Sequence, residues 1–394
     1  MKNDKIWTLD FITTTTLNFL FYLVFYLLTV IISTVAIGQY HASSGVAGAL
    51  SGIFILASFF GRLIAGSKIG RFGIKKTLVF GSIFYLAMTL LYFVTPNIAV
   101  LVIVRFFHGL SFGISSIATG TLAGLIVPPA RRGEALGYFT TSVTLAGAFG
   151  PFIAISLYHR YNFAVLLVVA SAILAIALIS TLFVKIPDGL FTTSTEKTQF
   201  HWSNYFEKSA LPISFIVFLI GIAYSPVLSF LADFSTERGL IVAGSFFYVA
   251  YAITILITRP FTGRIFDTKG DNYAIYPTFV VFAIALCLVG AAHTSWLLLV
   301  AGALVGLSYG SFSPFFQTIA IRHSSPHRIA LATSTFFGLY DMGVGVGPFI
   351  FGPIVPHTGY SQLYTIAAFL VVIVGVIYYF LHGSRAAAPG KRLA

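Results

Sequence analysis

Four short sequences occur twice in this chain, and the two copies of each are always 197 residues apart. The pairs are Arg62-Leu-Ile-Ala-Gly66 with Arg259-Pro-Phe-Thr-Gly263, Gly109-Leu-Ser-Phe-Gly113 with Gly306-Leu-Ser-Tyr-Gly310, Pro129-Ala-Arg131 with Pro326-His-Arg328, and Gly150-Pro151-Phe152 with Gly347-Pro348-Phe349. Insertions within either half would have changed the spacing from one pair to the next. The pattern therefore predicts a duplicated structure whose two similar halves pack around a shared centre.

The composition indicates that much of this structure faces lipid. Of the 394 residues, 58% are hydrophobic and only 9% are charged, whereas a soluble domain carries about 25% charged residues. One core could not bury so much apolar surface. The single cysteine, Cys287, can form no internal disulfide, and we expect it to be a small buried hydrophobic residue. No metal site or cofactor is indicated.

Crossing the hydrocarbon core takes about 20 apolar residues per helix. Twelve stretches meet this requirement and predict an all-α membrane protein: 11–38, 45–66, 76–95, 98–126, 134–158, 162–185, 208–233, 241–264, 274–292, 295–321, 329–355 and 361–382. The one long polar interruption predicts a division into an N-terminal six-helix bundle at 1–186, a linker at 187–207 and a C-terminal six-helix bundle at 208–394.

Nearly all the Lys and Arg residues outside these stretches fall on one side, and only Arg160 and Arg238 fall on the other. Cytoplasmic loops are enriched in these residues, so both termini and the linker are predicted to be cytoplasmic, in a multi-pass protein of the inner membrane. The first apolar stretch has no convincing cleavage site and is interpreted as a membrane helix rather than a signal peptide. The basic charge is thus a topology signal, and we expect no nucleic-acid partner.

Two six-helix repeats related by an axis along the membrane normal are typical of one class of secondary transporters, with substrate bound near the midplane between them. Alternating access then requires only that one half rocks against the other. The sequence contains no P-loop, zinc-protease or nucleophile-elbow motif that would favour an ATP-driven pump or an enzyme.

The segment between the second and third stretches reads Gly66-Ser-Lys-Ile-Gly-Arg71-Phe-Gly-Ile-Lys75-Lys. It resembles the loop signature of the major facilitator superfamily, Gly-x-x-x-Asp-Arg-x-Gly-Arg-Lys, with glycine in place of the aspartate. The second copy keeps the acid, as Asp267. The resemblance covers essentially the whole chain and implies a cytoplasmic gate formed by Arg62, Gly66, Arg71, Lys75, Arg259, Gly263 and Asp267.

Two further motifs carry the resemblance. Arg105-Phe-Phe-His108-Gly109 is similar to the family's Arg followed by Gln-Gly, with histidine for glutamine, and the glycines that lead to Pro151 are similar to its antiporter motif, although the glycine pair after the proline is absent. The whole resembles an efflux branch that includes sugar-efflux permeases and exporters of opine-type metallophores. In that branch an Arg on helix two and an Asp on helix eleven are familiar.

Ionisable residues within membrane helices are costly and invite a functional interpretation. Asp341 lies in the middle of an apolar helix, where a protonated, paired or hydrated carboxyl group could exchange protons or bind a substrate cation. Arg105 and His108 lie one turn apart on one helix face. Together the three are the candidates for proton coupling, although hydrogen bonds that serve structure alone would also explain each of them.

The remaining candidates follow from the helices that face the pathway in the family and from the Gly-Pro pairs, which can bend a helix. Hinge residues are Gly150, Pro151, Gly347 and Pro348. Substrate-cavity residues are Asn18, Tyr22, Tyr26, Ser115, Tyr224, Ser229, Tyr309, Ser313 and Gln317, and ordinary helix packing is the alternative for any one of them.

The sequence thus predicts a monomeric proton-coupled exporter of a small anionic, zwitterionic or amphipathic molecule. A symporter that imports a metabolite is the alternative within transport. A membrane receptor or membrane enzyme is the alternative from another class.

Overall fold

The computed structural model of the chain describes residues 6–127, 132–184, 206–324 and 329–385. Twelve α-helices make up nearly all of these ranges: α1 Leu9–Tyr40, α2 Ser44–Phe72, α3 Ile74–Leu91, α4 Ile98–Ile126, α5 Arg132–Arg160, α6 Phe163–Phe183, α7 Leu211–Glu237, α8 Ile241–Lys269, α9 Asp271–Gly290, α10 Ser295–Arg322, α11 Ile329–Phe351 and α12 Val355–Leu381. The predicted all-α fold with twelve helices is confirmed.

Within the described ranges, eleven of the helices are long and apolar enough to cross a membrane. The remaining helix, α11, carries Asp341 among its apolar residues. Most helices also run further than the apolar stretches predict, as α8 does by continuing to Lys269. Polar and charged turns extend these helices because a helix satisfies its own backbone hydrogen bonds whether or not lipid surrounds it.

Side-chain caps begin four of the helices in the described ranges, and at α2 Ser43 accepts from the Val46 amide. Thr8 accepts a hydrogen bond from the Phe11 amide at the start of α1, and Asn97 and Asn162 do the same for α4 and α6. Each cap satisfies an amide that would otherwise lack a partner at the helix N-terminus.

One glycine in each repeat forms the sharp junction between two consecutive helices. Gly73 separates α2 from α3 with φ +83°, and Gly270 separates α8 from α9 with φ +93°. Positive φ angles of this kind strain a residue that has a Cβ atom. The two glycines are 197 positions apart, so the duplicated halves use the same backbone turn.

The chain divides into two compact units. The first comprises Met1–Ala42 and Ile53–Lys197, and the second comprises Ser43–Gly52 and Thr198–Ala394. The repeated motif Pro129-Ala-Arg131, its copy at 326–328 and the whole predicted linker lie outside the described residues.

In the first unit, α4 packs directly on the backbone of α2. A Cβ atom on Gly109 would collide with the Phe54 carbonyl oxygen, and one on Gly113 would collide with the Ser58 carbonyl oxygen. Small residues four apart allow this approach in membrane helices. The first repeated glycine motif is therefore a helix-packing motif.

The second unit repeats the arrangement. A Cβ atom on Gly306 of α10 would collide with the Tyr251 carbonyl oxygen of α8, and one on Gly310 would collide with the Ile255 side chain. The Gly-Pro motifs have a similar role, because Gly150 admits α1 and Gly347 admits α7 at the same close range.

The outward faces of the helices are apolar, as a lipid environment requires. Phe80, Phe183 and Phe369 are each at least 60% exposed. Cys287 is also exposed on α9, so the expectation that it is buried is wrong. Its helix lies at the outside of the unit, and a small apolar residue is as acceptable against lipid as in a core.

Candidate functional site

Arg105 lies on α4 inside the first unit, and its side chain is fully buried. It donates a hydrogen bond of 2.7 Å to the Thr29 hydroxyl of α1 and one of 3.5 Å to the Tyr92 hydroxyl. Its guanidinium also stands 4.2 Å from the centroid of the Phe54 ring. Hydroxyl and ring contacts of this kind help to replace the water that a buried charge loses.

His108 is fully buried one turn further along α4. Its Nε2 atom lies 2.9 Å from the Thr89 hydroxyl, and its Nδ1 atom lies 3.2 Å from the Tyr92 hydroxyl. The ring stacks on Tyr85, with centroids 4.7 Å apart. Both ring nitrogens therefore have partners, which restricts the orientation of the imidazole.

Tyr92 connects the two predicted coupling residues, because one hydroxyl contacts both Arg105 and His108. Thr29, Arg105, Tyr92, His108 and Thr89 thus form one hydrogen-bonded chain, which we call the arginine–histidine network. Hydrogen bonds in series respond to one another in a low-dielectric interior. A proton gained or lost at one end can therefore alter the bonds at the other.

Thr29, Thr89 and Tyr92 were not among the residues predicted from the sequence. Thr89 lies in the last turn of α3, Tyr92 begins the short 3₁₀ turn Tyr92–Val94 that follows it, and Thr29 lies on α1. No spacing along the chain places these residues beside α4. Only the polar character of two threonines within apolar runs was available as a signal.

Arg62 is half-buried on α2 and is held from two sides. Its Nε donates to the Ser116 hydroxyl of α4 at 3.1 Å, and its Nη2 donates to the Tyr22 hydroxyl of α1 at 3.2 Å. The guanidinium is 5.7 Å from the centroid of Phe112. These contacts lie within the first unit, so Arg62 connects three of its helices.

Asp341 is half-buried on α11 in the second unit, whereas Arg105 and His108 belong to the first. Beside it in sequence, Tyr340 joins Tyr309, with ring centroids 5.9 Å apart, and Tyr309 stacks on Tyr224 at 3.6 Å. Tyr251 stacks on Tyr224 at 6.5 Å. We call these four residues the tyrosine cluster. Two of them, Tyr224 and Tyr309, are predicted cavity residues.

Two predicted cavity residues are enclosed by helix contacts within the first unit. Asn18 donates to the Ser142 hydroxyl at 2.9 Å and accepts from the Thr119 hydroxyl at 3.0 Å. Ser115 is fully buried and bonds the Ser111 carbonyl within its own helix. Both side chains are engaged in packing in this structure, and their contact with substrate stays a prediction.

The other cavity candidates differ in exposure. Tyr26 is half-buried, with its ring beside Gly147 and its Cβ atom beside the predicted hinge residue Gly150 of α5. Ser229 is fully buried on α7. Ser313 and Gln317 are half-buried one turn apart on α10.

Lys75 has a structural role that its place in a gate signature did not indicate. Its Nζ donates to the carbonyl oxygens of Thr181, Leu182 and Val184 at 2.7, 3.0 and 2.5 Å. It therefore binds the C-terminus of α6, where a positive charge is favoured. Of the other gate candidates, Gly66 is exposed, and the side chains of Arg71 and Asp267 lie outside the described residues.

The second unit has an equivalent hydrogen bond to the end of its last helix. Asn272 stands 197 positions after Lys75 and donates to the Gly383 carbonyl just beyond α12 at 2.8 Å. Its neighbour Asp271 is buried, accepts from Arg322 at 3.0 Å and lies 3.2 Å from His382. The sequence analysis did not single out Asp271 or His382, because neither belongs to a recognised motif.

Replacing Lys75 by methionine is expected to lower the stability of the purified protein by about 1–2 kcal/mol, since three carbonyls at the end of α6 lose their donor. Thermal unfolding followed by intrinsic fluorescence measures the change. Lys76→Met is the matched control, because Lys76 is exposed and should leave the unfolding temperature unchanged. Equal unfolding temperatures for all three proteins would contradict the capping role.

A pocket of about 210 Å³ lies between α8 and α10 in the second unit. Arg259 and Gly263, both predicted gate residues, are on its wall. Arg259 is exposed, and the charged residues Arg264, Asp267 and Lys269 follow it along α8. The pocket thus lies at the depth where a membrane helix begins to meet the polar interface.

Two bundles of membrane helices with buried ionisable side chains define a multi-pass membrane transporter. The sequence profile of the Major Facilitator Superfamily matches residues 14–290 and 275–393. The chain belongs to that superfamily, as its motifs predicted.

Comparison with curated proteins identifies two kinds of relative. The chain is 23% identical over 342 residues to the uncharacterized MFS-type transporter MJ1560 of Methanocaldococcus jannaschii, a match that covers 84% of this chain and 88% of that protein. It is 27% identical over 169 residues to the multidrug resistance protein MdtG of Salmonella paratyphi A, but this match covers only 41% of this chain and 42% of MdtG.

Solved transporters share the fold at low sequence identity. The nucleoside transporter NupG superposes with a TM-score of 0.75 over 95% of this chain and 99% of its own, at 13% identity. A bacterial homolog of the human lysosomal transporter Spinster gives 0.74 over 94% and 96%, at 13% identity. These similarities show the fold alone.

Proposed function

We propose that this transporter exports a small amphipathic organic molecule across the inner membrane in exchange for protons. The observation that carries the proposal is the arginine–histidine network, in which a buried Arg105 and a buried His108 share one tyrosine hydroxyl. A structural ion site needs no titratable imidazole beside it. A proton-coupled transporter does need a group that changes its protonation state within the membrane.

Asp341 is the second coupling group of the proposal. It lies half-buried in the middle of α11, in an otherwise apolar part of the helix. The cost of a carboxylate at such a depth is met when the group is protonated, paired or hydrated during the transport cycle. Alternation between these states would tie proton movement to the conformational change.

The tyrosine cluster supports the proposed substrate class. Four tyrosines from α7, α8, α10 and α11 provide ring faces and hydroxyls on one part of the second unit. Such walls suit molecules with an aromatic or cationic part. The name of the partial relative MdtG, multidrug resistance protein, is in line with an amphipathic substrate and with export.

The mechanism proposed is alternating access by rocking of two similar bundles, as expected for duplicated transporters. The Gly-Pro pairs of α5 and α11 are the proposed hinges, and both termini are proposed to be cytoplasmic. The direction of proton movement separates export from import. An exporter releases protons to the side from which substrate is taken, whereas a symporter carries protons and substrate together.

Asp341→Asn is expected to abolish proton movement coupled to substrate, because an amide cannot exchange the proton that a carboxyl group does. Vesicles containing purified protein and an internal pH-sensitive dye would be exposed to an aromatic cation (ethidium), an aromatic anion (fluorescein) and an aromatic zwitterion (a fluoroquinolone). Wild-type protein should give a pH change with at least one probe, and the variant should give none.

Asp10→Asn is the matched carboxyl-to-amide control, because Asp10 lies in the first turn of α1, and it should behave as wild type. If Asp341→Asn retains full coupled transport, Asp341 is not the coupling group. If no probe moves with wild-type protein, a metabolite-export profile of a deletion strain extends the search. If the deletion strain still exports every compound that the wild-type strain exports, the export function is contradicted.

A further inference from the structure

The pocket between α8 and α10 has one charged group and several hydroxyls on an otherwise apolar wall. Arg259 supplies the charge, and Thr258, Thr262, Ser311 and Thr318 supply the hydroxyls. The remaining wall includes Phe266 and Phe315, whose rings stack with centroids 4.7 Å apart. The pocket lining therefore combines one positively charged side chain with an apolar surface.

Comparison with Arg62, the equivalent arginine of the first unit, explains why the Arg259 guanidinium is available to bind a ligand. Arg62 is held by the hydroxyls of Ser116 and Tyr22. The positions 197 residues later are Ser313 and Leu219, so the second unit has no hydroxyl where Tyr22 stands in the first. Within the described part of the chain, the Arg259 guanidinium makes no hydrogen bond or ion pair.

The pocket hydroxyls can turn toward a ligand at low cost. Those of Thr258, Thr262 and Thr318 bond carbonyls one turn back in their own helices, and Ser311 does the same. Such carbonyls already accept a backbone amide in the helix. A hydroxyl that swings to a ligand therefore leaves no carbonyl unsatisfied.

We propose that this pocket binds an anion with an apolar body, a carboxylate or phosphate head held by Arg259 while the body lies against Phe266 and Phe315. Guanidinium groups bind such heads in a bidentate manner. The same chemistry is present in a soluble amphipathic anion and in the headgroup of an anionic phospholipid, and Arg259 is exposed in the half of α8 that carries the charged residues. The site is defined by binding, so it does not depend on the proposed direction or coupling of transport.

The test measures binding of 2-naphthoate by equilibrium dialysis, with purified full-length protein in phosphatidylcholine nanodiscs at fixed ionic strength. The uncharged 2-naphthamide reports on binding of the same body without the charge. Naphthoate should bind wild-type protein more tightly than naphthamide. Arg259→Gln should weaken naphthoate binding by about tenfold or more, as expected for loss of a charged hydrogen-bond donor, and should leave naphthamide binding unchanged.

Two further variants separate the pocket from general surface charge. Arg264→Gln removes an exposed arginine of the same helix that lies outside the pocket lining, and it should bind as wild type. Gly263→Val keeps Arg259 but fills the pocket, because Gly263 is on the pocket wall. The valine should be tolerated, because a Cβ atom at this position meets no atom within 4 Å. This variant should fold normally and lose naphthoate binding.

A second arm identifies the source of the anion. Native mass spectrometry would compare the phosphatidylglycerol retained by wild type, Arg259→Gln and Gly263→Val from mixed nanodiscs. If both variants retain less phosphatidylglycerol and wild type does not bind naphthoate specifically, the site binds a lipid headgroup. If wild type binds naphthoate specifically and phosphatidylglycerol retention does not fall in the variants, the site binds a soluble anion. If neither ligand depends on Arg259, or if Gly263→Val binds both as wild type does, the anion pocket is refuted.

Discussion

Gly109→Val is expected to prevent the accumulation of folded protein in the membrane. The valine Cβ atom would collide with the Phe54 carbonyl oxygen of α2. Overpacking of a side-chain core costs about 1–3 kcal/mol, and this substitution should cost more because a backbone carbonyl cannot rotate away. Gly306→Val should have the same effect in the second unit, where the Tyr251 carbonyl oxygen lies at the equivalent place.

The measurement is the yield of monodisperse protein after extraction in mild detergent, followed by fluorescence-detected size exclusion. Gly120→Val and Gly124→Val are the matched controls, since both glycines lie on α4 and a Cβ atom on either meets no atom within 4 Å. These variants should accumulate at wild-type levels. Normal yields of Gly109→Val would show that α2 and α4 do not depend on this close contact.

The duplicated glycines illustrate how much of the fold the sequence predicts. Apolar length predicts the helices, and the constant spacing of the repeats predicts that both halves are built alike. Membrane helices have few ways to pack closely, and small residues are the principal one. A glycine motif that recurs in register therefore carries information on a long-range contact as well as on local structure.

The partners of the buried charges could not be predicted in the same way. Arg105 is costly in an apolar helix unless it is paired, but the sequence does not specify which neighbouring helix supplies its partners. Thr29 and Tyr92 become partners because α1 and the end of α3 converge on α4. That convergence is a property of the assembled unit.

Lys75 shows a different limit. The family signature directed attention to a gate, whereas the structure gives the side chain three carbonyls at the end of α6. The repeat contained a signal that could have led to this role, since Asn272 is also a hydrogen-bond donor to the end of the last helix in its half. Residue types compared between the halves would have suggested a shared structural task.

Arg105→Met is expected to slow proton-coupled transport strongly while the protein remains folded. The hydrogen bonds of a buried guanidinium roughly offset its cost of dehydration, so an apolar side chain of similar length should leave the unfolding temperature nearly unchanged. Loss of a charged donor that acts in transport should reduce the initial rate by about tenfold to a hundredfold. Substrate-driven pH change in vesicles measures the rate, and thermal unfolding measures the stability.

Tyr92→Phe tests whether the shared hydroxyl makes Arg105 and His108 one functional group. The substitution keeps the ring and removes only the oxygen that contacts both side chains. If the arginine–histidine network relays the proton, Tyr92→Phe should lower the coupled rate and should shift its pH profile, which a purely structural hydroxyl would leave in place. A wild-type rate and pH profile in Tyr92→Phe would show that Arg105 and His108 act separately. A low unfolding temperature together with a wild-type rate in Arg105→Met would assign the arginine to structure alone.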